Sequence, residues 1–85
     1  MASFEYIITE PMGLHARPAG LLVKQLKNYI SSVEISCGER KADAKKLFAL
    51  MNLGIKCGDR VTVTVSGEDE HKAVQEIQNF FTQNI

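Results

Sequence analysis

Residues 60–81 read RVTVTVSGEDEHKAVQEIQNFF, and the change of period inside this stretch decides the fold class. Val61, Val63 and Val65 alternate with Thr62, Thr64 and Ser66, the two-residue repeat of a strand with one dry and one wet face. Beyond Gly67 the repeat lengthens. Ala73, Val74, Ile77 and Phe81 recur at three- and four-residue steps, the buried stripe of a helix beginning near Asp69 or Glu70. Glu68, Asp69 and Glu70 crowd its start, where the helix dipole favours negative charge. A strand that is dry on one side only needs helices on that side alone, so the segment predicts a two-layer α+β arrangement.

Upstream the same two periods alternate. Phe4, Tyr6 and Ile8 alternate with Glu5, Ile7 and Thr9 in a first strand. Pro11 and Gly13 then signal a turn, and Ala19, Leu22, Val23, Leu26 and Ile30 form the buried face of a helix over about residues 16–28. Val33, Ile35 and Cys37 make a second strand, and Gly38-Glu39 reads as a tight hairpin into a short third strand near 40–43. Residues 46–52 (KLFALMN) predict a short helix stopped by Gly54. The order is βαββαβα. It predicts one domain over residues 1–85, an open-faced two-layer sandwich with a four-stranded antiparallel sheet covered on one face by helices. Periodicity leaves the strand order within the sheet open.

Of the 85 residues 45% are apolar and 24% charged, ordinary globular composition with room for one shared hydrophobic layer. A deep enclosed substrate cavity does not fit, which favours a carrier, adaptor or binding module over a metabolic enzyme. Lys plus Arg and Asp plus Glu each total 10, a formal net charge of +0, whereas a protein that coats nucleic acid carries a basic excess. Cys37 and Cys57 fit neither a metal pattern nor a disulfide framework, so a reduced cytosolic setting is expected. Residues 1–10 (MASFEYIITE) lack the features of a signal peptide, and no run approaches the roughly 20 apolar residues of a membrane helix. The expectation is a cytoplasmic protein without membrane insertion, monomeric by default and without a cofactor. His71 lies in the acidic first turn of the last helix with no ligand partner at metal spacing, so it reads as a surface residue.

The chemistry concentrates in residues 13–18, Gly-Leu-His-Ala-Arg-Pro, where the first strand turns into the first helix. His15 precedes the helix, Ala16 opens it, and Pro18 sits in the first turn, where its missing N–H is no loss. The free backbone N–H groups at the helix start, with the positive end of the dipole, form an anion site, and Ala16 and Pro18 are the residues expected to cradle the phosphate. Arg17 adds a guanidinium whose fork of donors matches phosphate oxygens. A neutral imidazole nitrogen is a nucleophile near physiological pH. Nucleophile, cradle and cation within three residues suit reversible phosphoryl capture, although a histidine followed two residues later by arginine is also an ordinary surface arrangement.

The run Gly13-Leu14-His15-Ala16-Arg17-Pro18-Ala19 resembles the active-site signature of the HPr family, the histidine-containing phosphocarriers of the bacterial sugar phosphotransferase system. Residues 45–55 (KKLFALMNLGI) resemble that family's second signature, and the length and βαββαβα order agree over the whole chain. The resemblance implies that His15 accepts a phosphoryl group on Nδ1 from phosphorylated enzyme I. It then passes the group to the IIA domain of a sugar-specific transporter, with Arg17 attending the phosphoryl group. Such a protein is a carrier and not an enzyme. The rival reading, a regulatory HPr-like module that binds a target without carrying phosphate, would keep a serine and lose the histidine; this chain does the reverse.

Opposite the buried stripe of the first helix lie Arg17, Gly20, Leu21, Lys24 and Lys27, an apolar centre ringed by cations. In the short helix Leu47, Phe48, Leu50 and Met51 cannot all face inward on barely two turns. Gly20, Leu21, Lys24, Lys27, Leu47, Phe48 and Met51 are therefore the expected docking surface for partners with acidic rims and an apolar centre. Two positions depart from the family pattern. Lys46 stands where many members carry a regulatory serine, and no Ser, Thr or Tyr occurs from 38 to 61. Met12 stands where a small polar side chain often bonds the active-site loop, so that loop is expected to be looser or held by packing.

Overall fold

The alternating valines at 60–66 form a strand with both of its edges paired. In the computed structural model, which describes residues 1–85, the elements are β1 (Ala2–Ile7), α1 (Ala16–Leu26), β2 (Ser32–Cys37), β3 (Arg40–Asp43), α2 (Leu47–Met51), β4 (Arg60–Ser66) and α3 (Glu70–Asn84). The sheet order is β1-β4-β2-β3, all antiparallel, so the last strand in sequence lies between the first and the second. Val63 faces Phe4 across one edge and Ile35 across the other. The edge strand β3 is short and carries Arg40 and Lys41, which discourages pairing with another chain.

Val33, Ile35, Val61, Val63 and Val65 point from the sheet into a single core, met from the helices by Ala19, Leu22, Leu26, Leu50, Ala73, Ile77 and Phe81. Phe81 is fully buried, and the rings of Phe4 and Tyr6 each meet it edge-on at 5.5 Å, the geometry that the ring quadrupole favours. Glu5, Glu34, Thr62 and Thr64 leave the opposite face of the sheet polar, as an open-faced antiparallel sheet permits.

The first helix is shorter than its hydrophobic period suggests. It ends at Leu26, and the N–H groups of Lys27, Asn28 and Tyr29 donate to carbonyls three residues back instead of four. This tightening rotates the chain out of the 3.6-residue repeat. Ile30, expected on the buried stripe, is 72% exposed, and Tyr29 is buried in its place. On α3, Phe80 joins the core beside Phe81, while Val74 is half-buried.

At the acidic start of α3, Glu70 lies in the first turn and Asp69 is the N-cap residue. Asp69 makes no side-chain cap to its own helix. Its Oδ2 accepts the Ile30 N–H at 3.1 Å, and its Oδ1 accepts the Ser31 N–H at 3.0 Å together with the Ser31 hydroxyl. Ser31 is buried, and it approaches Gly67 so closely that a Cβ there would lie 2.6 Å from the Ser31 Cα. A glycine is required at that contact. The lysines before α2 divide their roles. Lys45 Nζ donates to the Tyr29 carbonyl at 2.8 Å and so binds the end of the α1 connection, and Lys46 is the exposed N-cap residue of α2.

Candidate functional site

The path from β1 to α1 is pinned along most of its length. Ile8 N–H donates to the Asp59 carbonyl at 2.9 Å, and Thr9 and Glu10 N–H to the Ile85 main-chain oxygen at 2.8 and 2.7 Å. Gly13 N–H donates to the Glu10 carbonyl at 2.8 Å, and Leu14 N–H to the Ile55 carbonyl at 3.1 Å. Gly13 has φ +69°, and a Cβ on it would lie 2.7 Å from the Lys56 Cα, so only glycine fits this crossing. Met12 contributes little packing, since it is 72% exposed. The loop is instead held by its main chain and by Glu10, whose Oε1 accepts the Met12 N–H at 3.3 Å.

This loop delivers His15 as the N-cap residue of α1, with φ −89° and ψ −174°. An N-cap side chain ordinarily bonds the N–H groups of the first turn, but the imidazole does not. The first-turn N–H groups of Ala16 and Arg17 have no acceptor within the chain, whereas Ala19 N–H already returns to the His15 carbonyl at 3.0 Å. The cradle expected over residues 16–18 therefore has two donors, Ala16 and Arg17. Pro18 offers none; its buried ring presets the first turn. Arg17 is exposed and in no ion pair, so its guanidinium is available to an anion.

His15 is 31% exposed, and its Nε2 lies 3.8 Å from Glu10 Oε1, within ion-pair range but beyond a direct hydrogen bond. Glu10, Met12, Arg17, Pro18, Leu21 and Asn84 surround it in a depression of about 280 Å³. Glu10 and Asn84 are additions to the residues expected here. Neither belongs to a motif or a period, and they reach His15 only through the turn over 10–15 and the packing of α3's end. The Pro11 and Gly13 turn signals were the one hint that Glu10 folds back. An imidazole, two unpartnered N–H groups, a helix N-terminus and an exposed guanidinium can together receive an anionic group and stabilise it.

Leu21 is 47% exposed and borders the His15 depression. Gly20 is half-buried with open space where a Cβ would stand, and Lys24 and Lys27 are exposed. In α2, Leu50 is buried, Leu47 and Met51 are half-buried against the core, and Phe48 is 80% exposed. The two helices pack against each other. A wider groove of about 680 Å³ runs between α1 and α3 and meets the His15 depression at Leu21 and Asn84. Its titratable hydroxyl is occupied: Tyr29 donates to Glu76 Oε1 at 2.6 Å, and burial together with that carboxylate pushes the phenol above its usual range. His71 is exposed, both cysteines are free thiols, and no cluster of three or more His, Cys, Asp or Glu is placed to hold a metal ion. No helix is long and apolar enough to cross a membrane.

Comparison with known proteins gives the same picture. The family described as PTS HPr component phosphorylation site matches residues 2–83. The chain is 44% identical over 75 residues to the phosphocarrier protein HPr of Buchnera aphidicola subsp. Baizongia pistaciae, covering 88% of each. It is 37% identical over 78 residues to the HPr of Mycoplasma capricolum, covering 92% of this chain and 88% of that one. The solved structure of a mycoplasma histidine-containing phosphocarrier protein superposes with a TM-score of 0.93 at 34% identity, covering 96% of this chain and 93% of that one. With both signatures on elements that agree with a solved member throughout, the chain belongs to the HPr family of phosphocarriers, which act in the phosphoryl-transfer chain of the phosphotransferase system.

Proposed function

We propose that this chain takes a phosphoryl group onto His15 Nδ1 from phosphorylated enzyme I and delivers it to IIA domains of sugar permeases in the cytoplasm. The observation that carries the reading is the bare N-terminus of α1: the imidazole caps nothing, and the Ala16 and Arg17 N–H groups beside it have no partner. Nε2 faces a carboxylate that would repel an incoming anion, while Nδ1 is the nitrogen without such a neighbour. The Nδ1 lone pair attacks phosphorus as the donor's bond to it breaks. The two N–H groups and the Arg17 guanidinium then stabilise charge on the equatorial oxygens.

Docking uses the outer faces of α1 and α2. Leu21 and Phe48 supply exposed apolar contact, Met51 and Leu47 the surface beneath it, and Lys24 and Lys27 the cations that meet an acidic partner rim. Serine-linked control at the start of α2 is absent, because Lys46 occupies the N-cap and no hydroxyl residue lies between 38 and 61. His15 is then the sole phosphorylation switch at this surface.

Incubation with phosphoenolpyruvate and enzyme I tests the reading. It requires acid-labile, base-stable label on the wild type, none on His15→Ala, and slowed labelling of Arg17→Ala. No label on the wild type, or label that survives His15→Ala, overturns it.

A further inference from the structure

Glu10 lies outside both sequence signatures, yet its carboxylate is the only acidic group lining the His15 depression. It is also held in place. Its Oε1 accepts the Met12 N–H at 3.3 Å, its own N–H donates to the Ile85 oxygen at 2.7 Å, and its carbonyl accepts the Gly13 N–H at 2.8 Å. The same Oε1 stands 3.8 Å from His15 Nε2, with both side chains about two-thirds shielded from solvent. The charged groups facing the imidazole are Glu10 from the β1–α1 loop and Arg17 from α1; α3 contributes only the neutral Asn84.

We propose that Glu10 is a positioning residue that keeps the proton of His15 on Nε2 in both the free and the phosphorylated states, an inference that rests on the phosphocarrier reading above. In the free protein a carboxylate near Nε2 favours the tautomer with N–H there, which leaves the Nδ1 lone pair available. When the Nδ1–P bond forms, Nδ1 donates that pair, the donor takes back the pair of the bond that breaks, and Nε2 keeps its proton. The ring becomes cationic beside a dianionic phosphoryl group, and Glu10 stabilises that cation. In the return step the Nδ1–P bond breaks, the pair goes back to Nδ1, and neutral imidazole leaves. Were the Nε2 proton lost beforehand, the leaving group would be an imidazolate, which is far poorer.

The test compares wild type, Glu10→Gln and Glu10→Ala, each phosphorylated through enzyme I and phosphoenolpyruvate. Glu10→Gln keeps an acceptor for the Met12 N–H and removes only the charge. Two readouts are followed against pH: the ring-nitrogen ¹⁵N shifts of phosphorylated His15, and the rate of phosphoryl transfer to a IIA domain. The expected result is that phosphorylated wild type holds its ring proton to a higher pH than either variant. Above the ring titration its transfer rate then exceeds that of the variants by about three- to tenfold, and below it the rates converge. A purely structural role for Glu10 would lower the rate at every pH, spare Glu10→Gln, and leave the ring titration unmoved; that result overturns the proposal. Label on the wild type with identical titrations in all three proteins overturns the Glu10 proposal alone. Absence of label on the wild type removes the phosphocarrier reading and this proposal with it.

Discussion

His15, Glu10 and Gly13 illustrate three degrees to which a residue's role can be read before the fold is known. The imidazole and Arg17 are two residues apart at a strand-to-helix junction, so their nearness is local and visible in the letters. Gly13 announces a turn but not its reason, which is the passage of the loop under the Ile55–Lys56 backbone. Glu10 is silent in sequence, because its approach to Nε2 depends on how the turn closes. The Gly13 crossing makes a direct prediction. Gly13→Ala forces an L-residue to φ +69° with its Cβ against backbone, so it should destabilise the fold by about 2 kcal/mol or more in urea titrations. It should also slow phosphorylation of the fraction that remains folded. An unchanged urea midpoint would mean that the loop relocates easily and that Gly13 does not anchor the site.

At the scale of elements, α1 and α2 carry opposite surpluses. Helix α1 has a glycine in its interior, and α2 has more apolar side chains than it can bury. The Cβ missing at Gly20 would meet nothing, so Gly20→Ala should raise stability by about 0.5–1 kcal/mol through helix propensity. Any accompanying loss of transfer in that more stable variant would report a partner seated on that spot. Phe48, 80% exposed, should tolerate Glu with a stability change within about 0.5 kcal/mol. Transfer to a IIA domain should fall about tenfold, the size of a central apolar anchor lost from an interface. If Phe48→Glu instead unfolds the domain, the residue belongs to the core and the docking surface must be redrawn. The end of α1 shows where periodicity stops being a guide. Leu26 obeys the helical repeat, but the tight turns at 27–29 reset the phase and exchange Ile30 for Tyr29 in the core.

For the molecule as a whole, alternation named β1, β2 and β4 and the 3.6-residue repeat named α1 and α3, because each of these spends one face on the same core, whereas β3 was legible from the Gly38-Glu39 turn and α2 from its apolar run before Gly54. Strand order lay beyond such reasoning. Placing β4 between β1 and β2 depends on which edges can be paired while the helices stay on one side, a global condition absent from any local window. Asp69 holds part of this assembly together by tying α3 to the loop after α1, and its pH dependence makes that role measurable. The Ser31 hydroxyl first, and then the Ile30 and Ser31 N–H groups, hold its carboxyl below the ordinary value of 3.8. A carboxyl depressed in the folded state adds stability that is complete above its unfolded value and is lost as pH falls through the folded one. The urea midpoint of the wild type should therefore drop more steeply between about pH 5 and pH 2 than that of Asp69→Asn. Parallel curves would show that the carboxylate does not link the two segments in solution.

Whether His15 carries the transferable phosphoryl group on Nδ1 is decided by ³¹P NMR of the chain after incubation with enzyme I and phosphoenolpyruvate. One phosphoramidate resonance is expected, assigned to Nδ1 of His15 by its coupling to the ring and lost when a IIA domain is added. A phosphoester resonance, attachment at Nε2, or a signal that persists in the presence of the acceptor would contradict that role for His15.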